Sequence, residues 1–396
     1  MRLFACTTAV VLSAMLTAAS AAAPDIDVER VVARHVGDIL PANSVGGVAV
    51  AVRLDGRTLF FNYGQADSAN GRPITSDTLF NLGSLGKIFD AALLAQAARR
   101  GELSLEDTVA DHVRELGDGG DIRRVTLGQL ATYTSGLVLP QDHPPWPTES
   151  FSRSEFIAAL KRWSADEDHQ PGRQVIYSHS GFILLHLALE ERFALPIGEL
   201  MRQRLLDPLG LSSTSLPTPA ADAGAHPRGE IPPPLARRAA QGYSADGEPV
   251  GTPGDLQGYY HWLGAGQMYS SARDMAVFLA ANLGDLPGQR TLQAAMQVSH
   301  RGVVSVDDAL TQAMAWEARA GEFAIVDKFG GLNNASAYIG MVPSEKLGIV
   351  ILTNRGSQDA GSAGRAVLLA LARQGRMMVQ QSARKARTQQ KSRPRT

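Results

Sequence analysis

Cysteine is almost absent from this chain. The single one, Cys6, lies within the first 23 residues, so the body of the chain contains no disulfide and no thiolate chemistry. Lysine is scarce too: six (Lys87, Lys161, Lys328, Lys346, Lys385 and Lys391) stand against 32 arginines. An excess of one charge sign is also lacking. The 38 basic and 39 acidic side chains leave a formal net charge of −1, which offers no footprint for a nucleic-acid-binding body. Nor is there a long hydrophobic run, since the apolar stretch ending at Leu16 is too short to favour a permanent membrane span. What is present is a balance of 44% hydrophobic and 19% charged residues over 396 positions. That composition excludes wholesale disorder and supports one large domain or two intimate ones.

The two ends differ from the middle. Residues 1–23 read as Arg2, an apolar stretch and the small-residue run TAASAAA, which is the pattern of a secretory signal peptide with cleavage after Ala21 or Ala23. Cys6 precedes most of the apolar stretch, so it is part of this segment rather than a lipid acceptor. Export makes the expected location secreted or periplasmic. Residues 376–396 carry seven basic and no acidic side chains and lack apolar periodicity. They read as a basic, disordered tail, with contact to an anionic surface as the sharper alternative. Without both ends, the remainder holds 30 basic and 39 acidic groups, a balance of −9.

Between the ends, residues 45–63 show two apolar strands around the turn Asp55-Gly56, a hairpin signal. Ala335–Pro343 and Leu347–Asn354 repeat the pattern, broken by Pro343-Ser344-Glu345-Lys346. Helical periodicity predicts helices over Lys87–Arg99, Glu155–Trp163, Gly181–Phe193, Ile197–Leu206, Ala272–Leu283 and Gly364–Arg373. Proline-rich 214–237 reads as a loop. Strands at both ends and helices between imply an α+β fold: one antiparallel sheet built from both chain ends, flanked by helices, with an inserted, mostly helical region. The α/β part is expected at about 24–99 and 290–375, and the helical part at about 100–289, within one domain spanning 24–375. No repeat of 20–50 residues is present.

The chemistry-bearing signal is Phe80-Asn81-Leu82-Gly83-Ser84-Leu85-Gly86-Lys87. Three residues of separation on a helix bring Ser84 and Lys87 within side-chain reach. A serine hydroxyl becomes a nucleophile when a neighbouring base takes its proton, and a desolvated lysine amine can do so. Arginine cannot, because it does not deprotonate in proteins, which makes a lysine in so arginine-biased a chain informative. By itself S-x-x-K is weak; Ser382-Ala383-Arg384-Lys385 also matches, and a helix N-cap with a solvated charge explains an isolated instance. Two further elements follow in order: GRQVIYSHSG at 172–181, containing Tyr177, and DKFGGLNN at 327–334, containing Lys328.

With these three elements the chain resembles the class C β-lactamases and related penicillin-recognising serine hydrolases, which share S-x-x-K, Y-x-N and K-T-G in this order. The resemblance covers roughly residues 28–373. It extends to LFNLGS at 79–84, RGELSLEDTV at 100–109, TYTSGL at 132–137, DPLGLSST at 207–214 and LGIVILTN at 347–354. It implies a β-lactamase/transpeptidase-like fold and an acyl-enzyme on Ser84, with Lys87 and Tyr177 as the proton-transfer unit and either one as the base. Lys328 would supply positive charge near the Tyr177 oxygen and a substrate carboxylate. Backbone N–H groups of Ser84 and Gly331 would form the oxyanion hole, where each donor contributes about 3 kcal/mol. Gln141 falls where the family has a substrate-amide ligand.

Two positions depart from the family pattern. His179 replaces the asparagine of Y-x-N; imidazole also offers one donor and one acceptor, but it can become cationic and depress the Lys87 pKa, or it can be a packing residue. Phe329 replaces the threonine of K-T-G, so a hydroxyl donor to a carboxylate is missing unless the ring turns into the core. The resemblance implies an exported, monomeric serine β-lactamase that hydrolyses the β-lactam amide without cofactor or metal. The nine histidines likewise show no ligand spacing. A DD-carboxypeptidase, endopeptidase or carboxylesterase on the same machinery is the alternative, and a weakly active penicillin- or cell-wall-peptide-binding protein is a third reading.

Overall fold

The computed structural model describes residues 26–143, 152–219, 229–254, 266 and 268–391. The signal-peptide expectation lies outside the described residues. Among those described, nine strands form one antiparallel sheet. From one edge its order is Arg72–Pro73, Arg57–Asp67, Gly47–Leu54, Leu347–Thr353, Ser336–Val342, Ile325–Gly331, Glu317–Arg319, Leu310–Gln312 and Val304–Ser305. Chain ends therefore meet at the centre, where Val48 lies opposite Thr353 and Val50 opposite Ile351. Asp55 and Gly56 both take positive φ (50° and 73°), the mirror-image turn that matches strand twist and closes the expected hairpin.

Alternation along the central strands divides two buried faces. Val48, Val50, Val52, Ile349 and Ile351 face the helices Val28–Gly37 and Ala360–Lys391. Ala49, Ala51, Val350, Leu352 and Ile339 face the helices Lys87–Arg99 and Ala272–Asn282. Small alanines on that face let the second helix layer approach closely, and a Cβ at Gly348 would lie 2.6 Å from Leu279. Ala272–Asn282 thus belongs with the sheet, although the sequence reading put it in the helical part. Its apolar composition suits burial on either side of that boundary, so only its packing partner assigns it. The helix Arg290–Val298 packs against Lys87–Arg99 and Ala272–Asn282, whereas Leu127–Ala131, Arg153–Arg162 and His179–Phe193 lie in the insert.

The C-terminal expectation needs correction. Residues 376–391 are not a disordered tail: they continue the helix Ala360–Lys391. Its first half is anchored by Ala363, Val367, Leu368 and Leu371, and beyond it come strong helix formers with no proline before Pro394. Propagation from a packed turn needs only propensity and no apolar periodicity.

Candidate active site

The turn that carries Ser84 sits where the insert meets the sheet. Leu79–Asn81 pairs with Tyr269–Ser271, and Asn81 Oδ1 accepts from Gly83 N–H at 3.0 Å, turning the chain. Gly83 takes φ +52°, and Gly83–Gly86 forms one 3₁₀ turn before the α-helix starts at Lys87. The helix thus has the expected bounds, and Ser84 lies in the 3₁₀ turn ahead of it rather than on the helix itself. The 3₁₀ turn eclipses residues three apart, which lines up Ser84 and Lys87 more closely than an α-helix would. Behind the turn runs the strand Ile325–Gly331. A Cβ on Gly330 would fall 2.2 Å from Leu82 O and 2.6 Å from Leu85 N, so backbone packs on backbone there and only glycine fits. The same packing brings Gly331 next to Gly83, whose own added Cβ would lie 3.2 Å from Gly331 N.

Two side chains from different elements converge on Ser84. The Tyr177 hydroxyl donates to Ser84 Oγ at 2.5 Å, and Lys87 Nζ donates to it at 3.5 Å. Lys87 Nζ also lies 3.4 Å from His179 Nδ1. Lys328 Nζ donates to the Tyr133 hydroxyl at 3.3 Å. Tyr133 stacks on Tyr177 with centroids 4.8 Å apart, and both lysines lie over these rings: Lys87 is 5.4 Å from the Tyr177 centroid and Lys328 is 5.0 Å from that of Tyr133. Cation–π contacts of this kind partly replace water around a buried ammonium.

Electrostatics distinguish these groups. Lys87 is fully buried, and burial pulls its amine from 10.5 to about 7. The Lys328 cation adds to the fall, while the Asp90 and Asp142 carboxylates oppose it. Lys328 is 4% exposed; burial lowers its pKa as well, against the pull of Glu317 and Asp327. Burial raises the Tyr177 hydroxyl, with hydrogen bonds to Ser84 and Tyr133 pulling the other way. Because Tyr177 is 43% exposed, that rise is smaller than full burial would give. Near neutral pH the site thus holds an amine that can accept a proton and a phenol that keeps its own. The arrangement suits acyl transfer to a serine.

A family model for beta-lactamase matches residues 28–373. The chain belongs to the beta-lactamase family. It is 29% identical to a beta-lactamase of Pseudomonas fluorescens over 84% of this chain and 95% of that one. Among solved structures, a class C beta-lactamase covers 88% of this chain and 98% of its own length, with TM-score 0.75 and 25% identity. A beta-lactamase/D-alanine carboxypeptidase of Pseudomonas syringae matches 87% of this chain and 99% of its own length, with TM-score 0.74 and 26% identity.

Of the positions expected from the family pattern, Ser84, Lys87, Tyr177, His179, Lys328 and the Gly331 backbone come together. His179 meets Lys87 rather than serving as a remote packing residue. Phe329 does not turn into the core: it is 43% exposed, on the strand face opposite Lys328, and its ring edge would lie 3.0 Å from a Cβ on Gly331. Gln141 lies in the 3₁₀ turn Pro140–Asp142, and its side chain lies outside the described residues. Its neighbour Asp142 was missed. That buried carboxylate accepts from the backbone N–H groups of His179 (2.7 Å) and Ser180 (2.9 Å) through Oδ1 and from that of Leu139 (2.8 Å) through Oδ2. It satisfies the orphan donors at the start of His179–Phe193 and so holds His179 in register with Lys87. An acidic residue three positions after Leu139, at the end of an apolar run, was the only sequence signal. Among the described residues no three His, Cys, Asp or Glu side chains gather as a metal-ligand group, and no helix is long and apolar enough to cross a membrane.

Proposed function

We propose that this member of the beta-lactamase family is an exported serine β-lactamase of the class C type, acting in the periplasm or outside the cell. The observation that carries this reading is the contact of Ser84 Oγ with both Tyr177 and Lys87, whose amine sits at about 7. Of the two candidate bases Lys87 is the one available, because a raised phenol pKa keeps Tyr177 protonated. As Ser84 Oγ bonds to the lactam carbonyl carbon, its proton passes to Lys87. The oxyanion formed meets the backbone N–H groups of Ser84 and Gly331. The C–N bond then breaks as the nitrogen takes a proton from Tyr177, which Lys87 resupplies. Water hydrolyses the acyl-enzyme by the reverse path and frees Ser84. Lys328 holds the Tyr133–Tyr177 pair in place and adds positive charge for an anionic substrate.

Phe329 favours a second reading on the same machinery, a D-alanine carboxypeptidase or carboxylesterase. The ring is exposed, and it stands where the family pattern has a threonine hydroxyl. Incubation with a penicillin, followed by intact mass and product, separates the readings. Rapid turnover through a transient adduct is expected. A long-lived adduct, or no adduct with cleavage of an aryl ester instead, refutes the lactamase reading. Ser84→Ala abolishes either activity; retained hydrolysis overturns Ser84 as the nucleophile.

A further inference from the structure

Two rungs join the helix Lys87–Arg99 to the helix His179–Phe193. In the first, Lys87 Nζ meets His179 Nδ1 at 3.4 Å. In the second, one turn further along, Asp90 Oδ1 meets His186 Nε2 at 2.7 Å. Helix geometry sets this ladder, since residues three apart on one helix and seven apart on the other project from a common face. Both side chains of the second rung are 5% exposed, so water does not screen them. His186 Nδ1 is buried without a hydrogen-bond partner, which leaves Asp90 as the group that orients the ring.

A buried carboxylate on the helix that Lys87 opens is conspicuous because the proposed reaction makes no use of it. Its field reaches two groups of the site. Asp90 opposes the fall of the Lys87 pKa and contributes to the rise of the Tyr133 hydroxyl. Other charged or titratable groups face Lys87 from the packed elements: Asp142 from its turn, Tyr177 and His179 from the insert, and Lys328 from the strand. Of the carboxylates, Asp142 is committed to backbone N–H groups, whereas Asp90 is bonded to a group that can itself gain a proton. The Asp90 carboxylate and the His186 ring thus form a closed, unscreened pair one turn along the helix from Lys87.

We propose that the Asp90–His186 pair is a built-in counter-charge for Lys87, a positioning pair that fixes the pH at which that amine becomes the base for Ser84. It rests on Lys87 acting as the base of the proposed reaction.

The test uses the full chain and a fluorophosphonate, whose capture does not depend on the natural substrate. Ser84 Oγ bonds to phosphorus, the P–F bond breaks, fluoride leaves and the serine proton passes to Lys87. The rate of mass gain is followed against pH. Wild type is expected to show an acid limb near pH 7. Asp90→Asn removes the counter-charge, so the limb moves down by about one pH unit. The double variant Asp90→Leu/His186→Leu replaces both partners with apolar groups of similar bulk, avoids an orphaned buried charge, and is expected to shift the limb in the same direction. Limbs at the wild-type pH or above it, in whichever variant folds, overturn the proposal and leave the pair a structural one. A wild type with no limb near pH 7 refutes Lys87 as base, and the proposal with it. Normal labelling with no β-lactam turnover refutes only the substrate reading, and the shifts then still decide the role of Asp90.

Discussion

Replacing Phe329 by threonine should restore carboxylate recognition. The ring is 43% exposed and leans on Gly331, so its removal opens no core cavity and should change stability by about 0.5 kcal/mol or less. Threonine is favoured in strands, and its side chain would leave the strand Ile325–Gly331 from the same face as Phe329, next to the Gly331 N–H. A hydroxyl donating to a carboxylate there contributes about 1.5–3 kcal/mol, roughly ten- to a hundredfold in affinity. The assay compares kcat/KM for a carboxylated substrate with that for its methyl ester, in Phe329→Thr and in wild type. The acid-to-ester preference should rise by about that factor, and the inhibition constant of a carboxylated inhibitor should fall in parallel. If both the preference and the inhibition constant stay at wild-type values, position 329 does not face the anion and the reasoning fails.

Gly330→Ala places a methyl 2.2 Å from Leu82 O and 2.6 Å from Leu85 N, both backbone atoms, so strand and nucleophile turn must separate. Activity should fall by about a hundredfold or more, with a loss on the order of 2–4 kcal/mol in denaturant unfolding; near-wild-type values of both would contradict the close approach. Lys87→Met should abolish activity yet stabilise the fold by roughly 2–4 kcal/mol at pH 7. The sign follows from the folded pKa of about 7 lying below the unfolded value of 10.5. Below pH 7 both states hold the proton and the folded state bears the burial penalty in full. Between pH 7 and 10.5 the unfolded chain binds a proton that the folded one has released, so wild-type stability rises with pH. The advantage of Lys87→Met in thermal unfolding should therefore shrink as pH rises, and an advantage independent of pH would disprove a neutralised lysine.

Legibility in the sequence followed the strength of local signals. Asp55-Gly56 and its flanking apolar runs specified a hairpin because turn chemistry and alternation agree. The central sheet was readable because both chain ends carry strand patterns. The strands at 304–319 were not, for they are two or three residues long and half-exposed, with too few positions to alternate. The helix Val28–Gly37 carries a local signal as well, the stripe Val28, Val31, Val32 and Val36 behind an Asp27 cap. At the site, Ser84, Lys87, Tyr177 and Lys328 were identifiable because a motif needs only spacing. Asp142 and the Asp90–His186 pair were not, since their roles depend on contacts between residues 37 and 96 positions apart. No local pattern encodes such a distance.

The scarcity of lysine takes on a physical meaning here. Two of the six lysines are buried in one site, 0% and 4% exposed; burial lowers the pKa of both, and the Lys328 cation lowers that of Lys87 further. Burial alone would leave an amine too weak a base to be useful, and an exposed amine would stay protonated at neutral pH. The surroundings place Lys87 between those limits: Lys328 pushes down, Asp90 and Asp142 pull up, and the tyrosine faces substitute for lost water. Each of those neighbours is fixed by a contact on a different element, a strand backed by Gly330, a turn that holds His179, and a helix rung. An arginine at position 87 would be a bulkier, permanent cation in a fully buried place, so it would lose the base and bear the burial penalty in full. Catalytic competence at this site is therefore a property of the balance among those elements rather than of the S-x-x-K spacing alone.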